Sequence, residues 1–223
     1  MKSLNSYIDH TLLKSTATKQ DIQILCKEAI DNQFFSVCLN SCYVALAKSE
    51  LSDSAVRVCS VVGFPLGAMS SQAKIEEANG ALYDGADEID MVMNIGLFKS
   101  QDYKAVVKDI QGVKNLMPDR VLKVIIETCY LKDFEITKAS ELVIEAGADF
   151  IKTSTGFGPR GASIHDIKLI KSVIRPEDRI KIKASGGIRD SKTAMEYIDL
   201  GVDRLGTSSG IAMMSNQTSN SDY

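Results

Sequence analysis

Several β-branched runs of this chain carry charge where a buried strand is ordinarily apolar. Glu88 and Asp90 lie in Glu88-Ile-Asp-Met-Val-Met-Asn94, and Lys123 and Glu127 in Lys123-Val-Ile-Ile-Glu127. Lys152 lies in Phe150-Ile-Lys-Thr-Ser-Thr155, and Lys181 and Lys183 in Lys181-Ile-Lys-Ala-Ser185. Successive side chains of a strand point to opposite faces. Glu88 therefore shares a face with Asp90, Lys123 with Glu127, Lys152 with Ser154, and Lys181 with Lys183 and Ser185. Ile89, Met91, Val124, Ile126, Ile151, Ile180 and Ile182 take the opposite faces. An unpaired charge taken out of water costs several kcal/mol or changes its protonation. Lysines and carboxylates turned toward one axis are explained more readily by chemistry than by stability. The alternative is that each charge sits at a strand end and pairs locally.

The elements that would position these groups form a series. Strand-like runs cover 35–39, 57–62, 88–93, 122–127, 150–155, 180–184 and 204–207, with 7–12 as a weaker first member. Amphipathic stretches at 18–33, 70–84, 102–117, 132–146, 163–173 and 191–200 read as helices. Three helices end in related phrases: Asp84-Gly-Ala-Asp87, Glu145-Ala-Gly-Ala-Asp149 and Leu200-Gly-Val-Asp203. Each offers a helix-ending glycine and then an acid entering a strand. Alternating strands and helices imply a parallel sheet. Eight units suit a closed (β/α)8 TIM barrel, an α/β fold occupying residues 1–214. Residues 215–223 are polar and read as a tail. An open doubly wound sheet is the rival, but no G-x-G-x-x-G follows the first strand.

Bulk properties narrow the function classes. The chain has 223 residues, 44% hydrophobic and 25% charged, enough for a core without disulfides or metals. A net charge of −3 and the lack of a basic run argue against nucleic acid. Cys26, Cys38, Cys42, Cys59 and Cys129 are odd in number and include no C-x-x-C, as expected of reduced thiols. No stretch approaches the roughly 18 apolar residues of a membrane span, and no signal core opens the chain. A cytoplasmic protein without a membrane partner is the expectation. His10 and His165 are too few and too separated for a zinc site.

The strings Ile8-Asp-His-Thr-Leu-Leu13, Val37-Cys-Leu-Asn40, Val62-Gly-Phe-Pro-Leu-Gly67, Glu88-Ile-Asp-Met-Val92, Lys123-Val-Ile-Ile-Glu-Thr128, Phe150-Ile-Lys-Thr-Ser-Thr-Gly156, Lys183-Ala-Ser-Gly-Gly187 and Gly206-Thr-Ser-Ser209 occur in order along nearly the whole chain. Together they resemble the 2-deoxyribose-5-phosphate aldolases, and Phe-Ile-Lys-Thr-Ser-Thr-Gly is a specific signature. The resemblance implies a metal-free class I aldolase without a cofactor. Such an enzyme reversibly splits 2-deoxy-D-ribose 5-phosphate into acetaldehyde and D-glyceraldehyde 3-phosphate. Its partners would be small sugar phosphates and aldehydes, with a homodimer or larger homo-oligomer expected. Two rivals remain: another Schiff-base barrel lyase or transferase, and a non-catalytic phosphate-binding protein. The intact set Asp90, Lys152 and Lys183 opposes the second.

By the same resemblance Lys152 is the Schiff-base amine, Lys183 the second lysine that tunes it, and Asp90 the general acid/base. Breaking a carbon–carbon bond needs a sink for the electrons, and an iminium on a neutral amine supplies one. Burial or a neighbouring cation favours a neutral amine. Asp9 has a supporting role or, alternatively, a helix-entry role. Lys123 lines the same cavity, with Glu127 as its expected partner. Gly156, Gly186, Gly187, Gly206, Ser208 and Ser209 are expected to offer backbone N–H groups to the phosphate. Phe157 stands where some relatives carry a phosphate-contacting lysine, so cationic help is sought from Arg160. Ser41 replaces a common proline. Cys38 reads as a small apolar filler that aldehydes could modify. The final residue, Tyr223, matches a tail tyrosine that can reach the site in some relatives.

Overall fold

The structure is a computed structural model and describes residues 3–215. Its eight strands are β1 (Ile8–Leu12), β2 (Ser36–Leu39), β3 (Arg57–Val62), β4 (Glu88–Val92), β5 (Val121–Ile125), β6 (Phe150–Lys152), β7 (Lys181–Ser185) and β8 (Arg204–Thr207). All neighbours pair in parallel, and β8 pairs back onto β1 to close the barrel. The principal crossover helices are α1 (Lys19–Asp31), α2 (Val44–Glu50), α3 (Ser71–Tyr83), α5 (Tyr103–Lys114), α6 (Asp133–Glu145), α7 (Ile164–Val173) and α8 (Ser191–Asp199). Short helices α4 (Ile95–Lys99) and α9 (Gly210–Met214) follow β4 and β8. The closed parallel barrel replaces the open-sheet rival.

Local chemistry explains the helix boundaries. Thr18 and Asp21 form a reciprocal cap at the start of α1, and Ser163 with Asp166 does the same for α7. The three glycine-acid phrases work as paired stops. Gly85, Gly147 and Gly201 each take a positive φ, and the next N–H bonds back into the final helical turn. Asp87, Asp149 and Asp203 then accept the N–H of Val58, Leu122 and Ile182 at 2.8–3.0 Å. Each acid thus fastens the base of one strand to its neighbour.

The expectation missed α2 and α4, and ran two strands too long. β5 ends at Ile125 and β6 at Lys152. Residues 153–155 turn to meet the neighbouring strand ends instead of extending the ladder: Thr153 N–H bonds the Lys183 carbonyl, and the Thr155 amide turns to Glu127. Apolar faces of strands and helices form the main core, which includes Ile89, Met91, Val124, Ile151 and Ile182. A second, small apolar cluster of Leu13, Cys38, Cys59 and Val61 fills the β2–β3 side of the barrel interior. The remainder of that interior carries a cluster of buried charges among smaller polar and apolar side chains. No described helix is long and apolar enough to cross a membrane. Tyr223 and the tail from 216 onward lie outside the described residues.

Candidate active site

Strand register gathers the inward charges. Asp90 on β4 is level with Lys123 on β5, and Lys152 on β6 is level with Lys183 on β7. All four are buried, with Lys152 2% exposed. Asp90 Oδ2 accepts from Lys152 Nζ at 2.7 Å and from Lys183 Nζ at 2.8 Å. Its Oδ1 accepts from Lys123 Nζ at 2.8 Å and from the Cys59 thiol at 3.0 Å. One carboxylate therefore holds three ammonium groups. Burial pushes the Asp90 carboxyl up, but Lys123, Lys152 and Lys183 together outweigh it and hold it well below the usual carboxylate range.

A second layer lies beneath. Lys183 Nζ is also 2.5 Å from Asp9 Oδ2, and Lys123 Nζ is 2.6 Å from Glu88 Oε2. Arg204 on β8 spans both acids, with Nε 2.8 Å from Asp9 Oδ1 and Nη2 2.6 Å from Glu88 Oε2. Its guanidinium stacks 3.3 Å above the Phe35 ring at the base of the barrel. Burial disfavours the charged forms of Lys123 and Lys183, yet the acids around them, led by Asp90 for Lys123 and Asp9 for Lys183, raise both above the ordinary lysine range. Asp9 is likewise held low: burial raises it, while Arg204 and Lys183 overcome that effect. Lys123, Lys152, Lys183 and Arg204 thus face Asp9, Glu88 and Asp90 among the described residues, and the half-exposed Arg57 meets Glu88 Oε1 at 3.3 Å from the barrel base. Lys123 and Lys183 each bridge two carboxylates. Lys152 touches one, and it lies nearest the open end.

Cys38, Cys59 and Asp90 bring potential metal-ligand atoms within 4.8 Å of one another. Asp90 is already surrounded by ammonium groups, and their charge opposes a divalent cation there. Ser154, on the face expected to carry Lys152, has a buried hydroxyl with no partner among the described residues.

Several expectations need correction. Lys123 does not pair with Glu127; it pairs with Asp90 and Glu88. The reason is that β5 stops before Glu127, whose backbone is left-handed (φ 53°) and whose carboxylate turns to Thr155. Lys181 does not join the inward set. It is exposed at the start of β7, with its ammonium 5.8 Å from the Phe150 ring centroid. Asp9 has no helix-entry role, because it is buried within β1. The phosphate-loop residues divide. Gly156, Gly186 and Gly187 line a cavity of about 330 Å³ with Phe157, Arg160 and Arg189. Ser208 lines a different cavity, of about 390 Å³, beside β1 and α1. Gly206 packs over the Lys183 stem, where a Cβ would lie 3.0 Å from Lys183 Cε. Ser209 caps α9 and its N–H bonds Thr207 Oγ1 at 2.9 Å. Arg160 is engaged by Asp166, at 2.5 and 3.0 Å, and by the Thr128 carbonyl at 3.2 Å.

Sequence reasoning overlooked Arg204, Cys59 and Arg189. The first two were readable, since Arg204 is level with Lys183 and Cys59 shares the face of Val61. Arg189 closes Gly186-Gly-Ile-Arg189 and is the further cationic residue at the glycine-lined cavity.

Comparisons with known proteins agree with this arrangement. Residues 4–214 match the model of the DeoC/LacD family aldolases. A deoxyribose-phosphate aldolase of Finegoldia magna is 54% identical over 211 residues, covering 95% of this chain and 98% of the relative. The enzyme of the same name from Carboxydothermus hydrogenoformans is 51% identical over 220 residues, covering 97% and 96%. Among solved structures, an aldolase called QR15 superposes with a TM-score of 0.91 at 46% identity, covering 96% of each chain. The deoxyribose phosphate aldolase of Aeropyrum pernix, described as a unique tetramer, superposes with a TM-score of 0.88 at 34% identity, covering 95% of this chain and 89% of that one. The chain therefore belongs to the DeoC/LacD aldolase family, among the deoxyribose-phosphate aldolases, and is a carbon–carbon lyase.

Proposed function

We propose that this chain reversibly cleaves 2-deoxy-D-ribose 5-phosphate to acetaldehyde and D-glyceraldehyde 3-phosphate through a Schiff base on Lys152. The observation that carries the reading is the single Asp90 oxygen shared by Lys152 and Lys183, at 2.7 and 2.8 Å. Four buried cations face three buried carboxylates, and the half-exposed Arg57 adds a further cation on Glu88 at 3.3 Å, so one ammonium can lose its proton without leaving a carboxylate unpaired. Lys123 and Lys183 are each held by two acids, which leaves Lys152 to supply the free amine.

In this reading the Lys152 amine adds to the substrate aldehyde to give a carbinolamine. Asp90 and Lys183 relay the proton that lets water depart, and the iminium forms. Removal of a proton from the β-hydroxyl breaks the adjacent carbon–carbon bond, and its electrons flow into the iminium to give an enamine. D-Glyceraldehyde 3-phosphate leaves as the aldehyde. Protonation of the enamine and hydrolysis return acetaldehyde and the free lysine. The Ser154 hydroxyl, buried without a partner, is placed to meet a substrate hydroxyl. The phosphate is assigned to the cavity of Gly156, Gly186 and Gly187, with Arg189 as its cation. Ser208 and Ser209 close the far side of the mouth.

Residues 1–214 are read as one catalytic domain. The unpaired cysteines suit a reducing cytoplasm, and the tetrameric relative supports a homo-oligomer. Degradation of deoxyribose phosphate follows as the cellular role. The test is to incubate the protein with acetaldehyde, reduce with borohydride and map the adduct by mass spectrometry. A label on Lys152, with chelator-insensitive cleavage of deoxyribose 5-phosphate, is expected. Folded protein without any label would overturn the mechanism.

A further inference from the structure

Glu127 occupies a position that local preference does not favour. Ile126 N–H bonds the Lys152 carbonyl and Thr128 N–H bonds the Thr153 carbonyl, so two residues advance along one chain for one along the other. Glu127 is the extra residue of this bulge, with φ 53° and ψ 67°. Left-handed backbone is the usual province of glycine or asparagine, and another residue persists there when its surroundings over-determine it. Bulges beside sites commonly re-aim a side chain.

Glu127 is 2% exposed, and its carboxylate bonds chiefly to Thr155, with the Cys129 thiol also beside it. Both carboxylate oxygens accept the Thr155 N–H at 3.2 Å, and Oε2 accepts the Thr155 hydroxyl. Because that hydroxyl gives its proton to Glu127, its oxygen is free to accept the Phe157 N–H, at 3.0 Å. Gly158 closes over the same carboxylate: a Cβ there would lie 3.5 Å from Glu127 Cδ and 2.5 Å from Cys129 Sγ. The polarity runs one way, from the Phe157 amide through Thr155 to Glu127. It fixes residues 155–158, of which Gly156, Phe157 and Gly158 line the cavity that also holds Gly186, Gly187 and Arg189.

We propose that Glu127 is a positioning residue that sets substrate affinity by holding the Thr155–Gly158 wall against the phosphate group, without entering the chemistry at Lys152. This rests on the reading of that cavity as the phosphate site. A group that only shapes the binding of a non-reacting part of the substrate acts equally on ground and transition states, so its loss raises KM and spares kcat. Glu127→Gln keeps an acceptor for Thr155, whereas Glu127→Ala removes it. Glu127→Gly removes it while relieving the backbone, so it keeps the test available if the alanine variant folds poorly. Thr155→Val cuts the relay from the other end.

The experiment compares cleavage of deoxyribose 5-phosphate and of unphosphorylated deoxyribose by wild type and these variants. For the ester, Glu127→Gly and Thr155→Val should raise KM by about tenfold, the loss of one or two hydrogen bonds, with kcat little changed. Glu127→Gln should stay near wild type, and the unphosphorylated sugar should show the same kcat/KM throughout. Equal losses on both substrates, or a fall in kcat with KM unchanged, would overturn the proposal, as would an unaltered KM in Glu127→Gly. A wild-type enzyme that cleaves neither sugar would instead defeat the functional reading.

Discussion

Among the described residues two ion-pair centres are buried, and they are built on opposite principles. Between α3 and α5, Lys74 Nζ meets Asp109 Oδ2 at 2.5 Å and the Val92 carbonyl at 2.9 Å. That pair is one charge against one, fully enclosed among helices, and Asp109 Oδ1 has no partner among the described residues. Inside the barrel, Asp9, Glu88 and Asp90 face Lys123, Lys152, Lys183 and Arg204, a surplus of cation that opens toward the mouth at Lys152. Burial pulls the Lys74 ammonium below the usual lysine range despite Asp109, but the pair is closed off from the barrel interior and serves as a pin: Lys74 fastens α3 to the end of β4, two residues beyond Asp90. An unbalanced cluster has a proton to exchange. Burial alone therefore does not mark chemistry; the stoichiometry of charge and the route to solvent do.

The sharpest way to break this comparison is Lys152→Met. It removes the amine and leaves Asp90 held by Lys123 and Lys183. Cleavage should fall by at least roughly four orders of magnitude, as for loss of any covalent nucleophile. Stability should change by no more than about 1 kcal/mol, because Asp90 keeps two ammonium partners and no carboxylate is left unpaired. Steady-state cleavage and denaturant melts read the two outcomes. A variant that keeps substantial activity, or one that unfolds, would contradict the surplus-charge picture.

Lys74→Met should do the reverse. It leaves Asp109 charged, buried and alone, at a cost of about 3–5 kcal/mol. Lys74→Met with Asp109→Leu should recover most of that loss. Over the folded fraction, kcat should remain within about twofold of wild type, since Lys74 lies outside the barrel interior. If the single variant is as stable as wild type, the pin assignment fails.

How far this contrast could be read from sequence depends on the kind of signal each residue leaves. Alternation along strands placed Glu88, Asp90, Lys123, Lys152 and Lys183 inside, because period and register are properties of the strands themselves. Arg204 obeys the same parity and was overlooked only because its strand looked ordinary. The glycine-acid stops were visible as a repeated phrase, and the fastening by Asp87, Asp149 and Asp203 gave that phrase its meaning. Lys74 and Asp109 lie on separate helices in positions that read as solvated faces, and only packing brings them together. Glu127 was misplaced in the strand as the partner of Lys123, because a bulge and a left-handed glutamate run against local preference. The division of Ser208 from Gly186 and Gly187 depended on loop paths with no periodicity to follow.

A pH series sharpens the barrel side. Asp9 and Asp90 titrate below the unfolded value of about 3.9, so their stabilisation is complete above roughly pH 4 and is lost as pH falls toward their folded values. Lys123 and Lys183 titrate above the ordinary value of about 10.4. Their stabilisation is complete below that value and is lost as pH rises through the folded one. Asp9→Asn should therefore lower Tm most between about pH 5 and pH 8, and the gap to wild type should narrow as pH drops below about 4. A gap that stays constant into acid would show that Asp9 contributes through shape and not through charge.

The smallest effect expected comes from two lysines on one strand. Lys181 and Lys183 share a face of β7 by parity, yet Lys181 is exposed at its first residue and Lys183 is wholly buried. The difference is local to β7: Lys181 opens to solvent at the start of the strand, while Lys183, two residues on, is enclosed by its neighbours. Lys181 stands 5.8 Å from the Phe150 ring, near the outer limit for a cation–π contact and in water, where such contacts contribute about 0.5–1 kcal/mol. Lys181→Met should accordingly cost no more than about 1 kcal/mol and leave cleavage unchanged. Lys183→Met leaves Asp9 to Arg204 and Asp90 to Lys123 and Lys152, so its main cost should be most of the activity, because Lys183 shares the Asp90 oxygen with Lys152. Paired melts and rate measurements compare them directly. Comparable losses at both positions would mean that parity, and not depth, governs which charges enter the reaction.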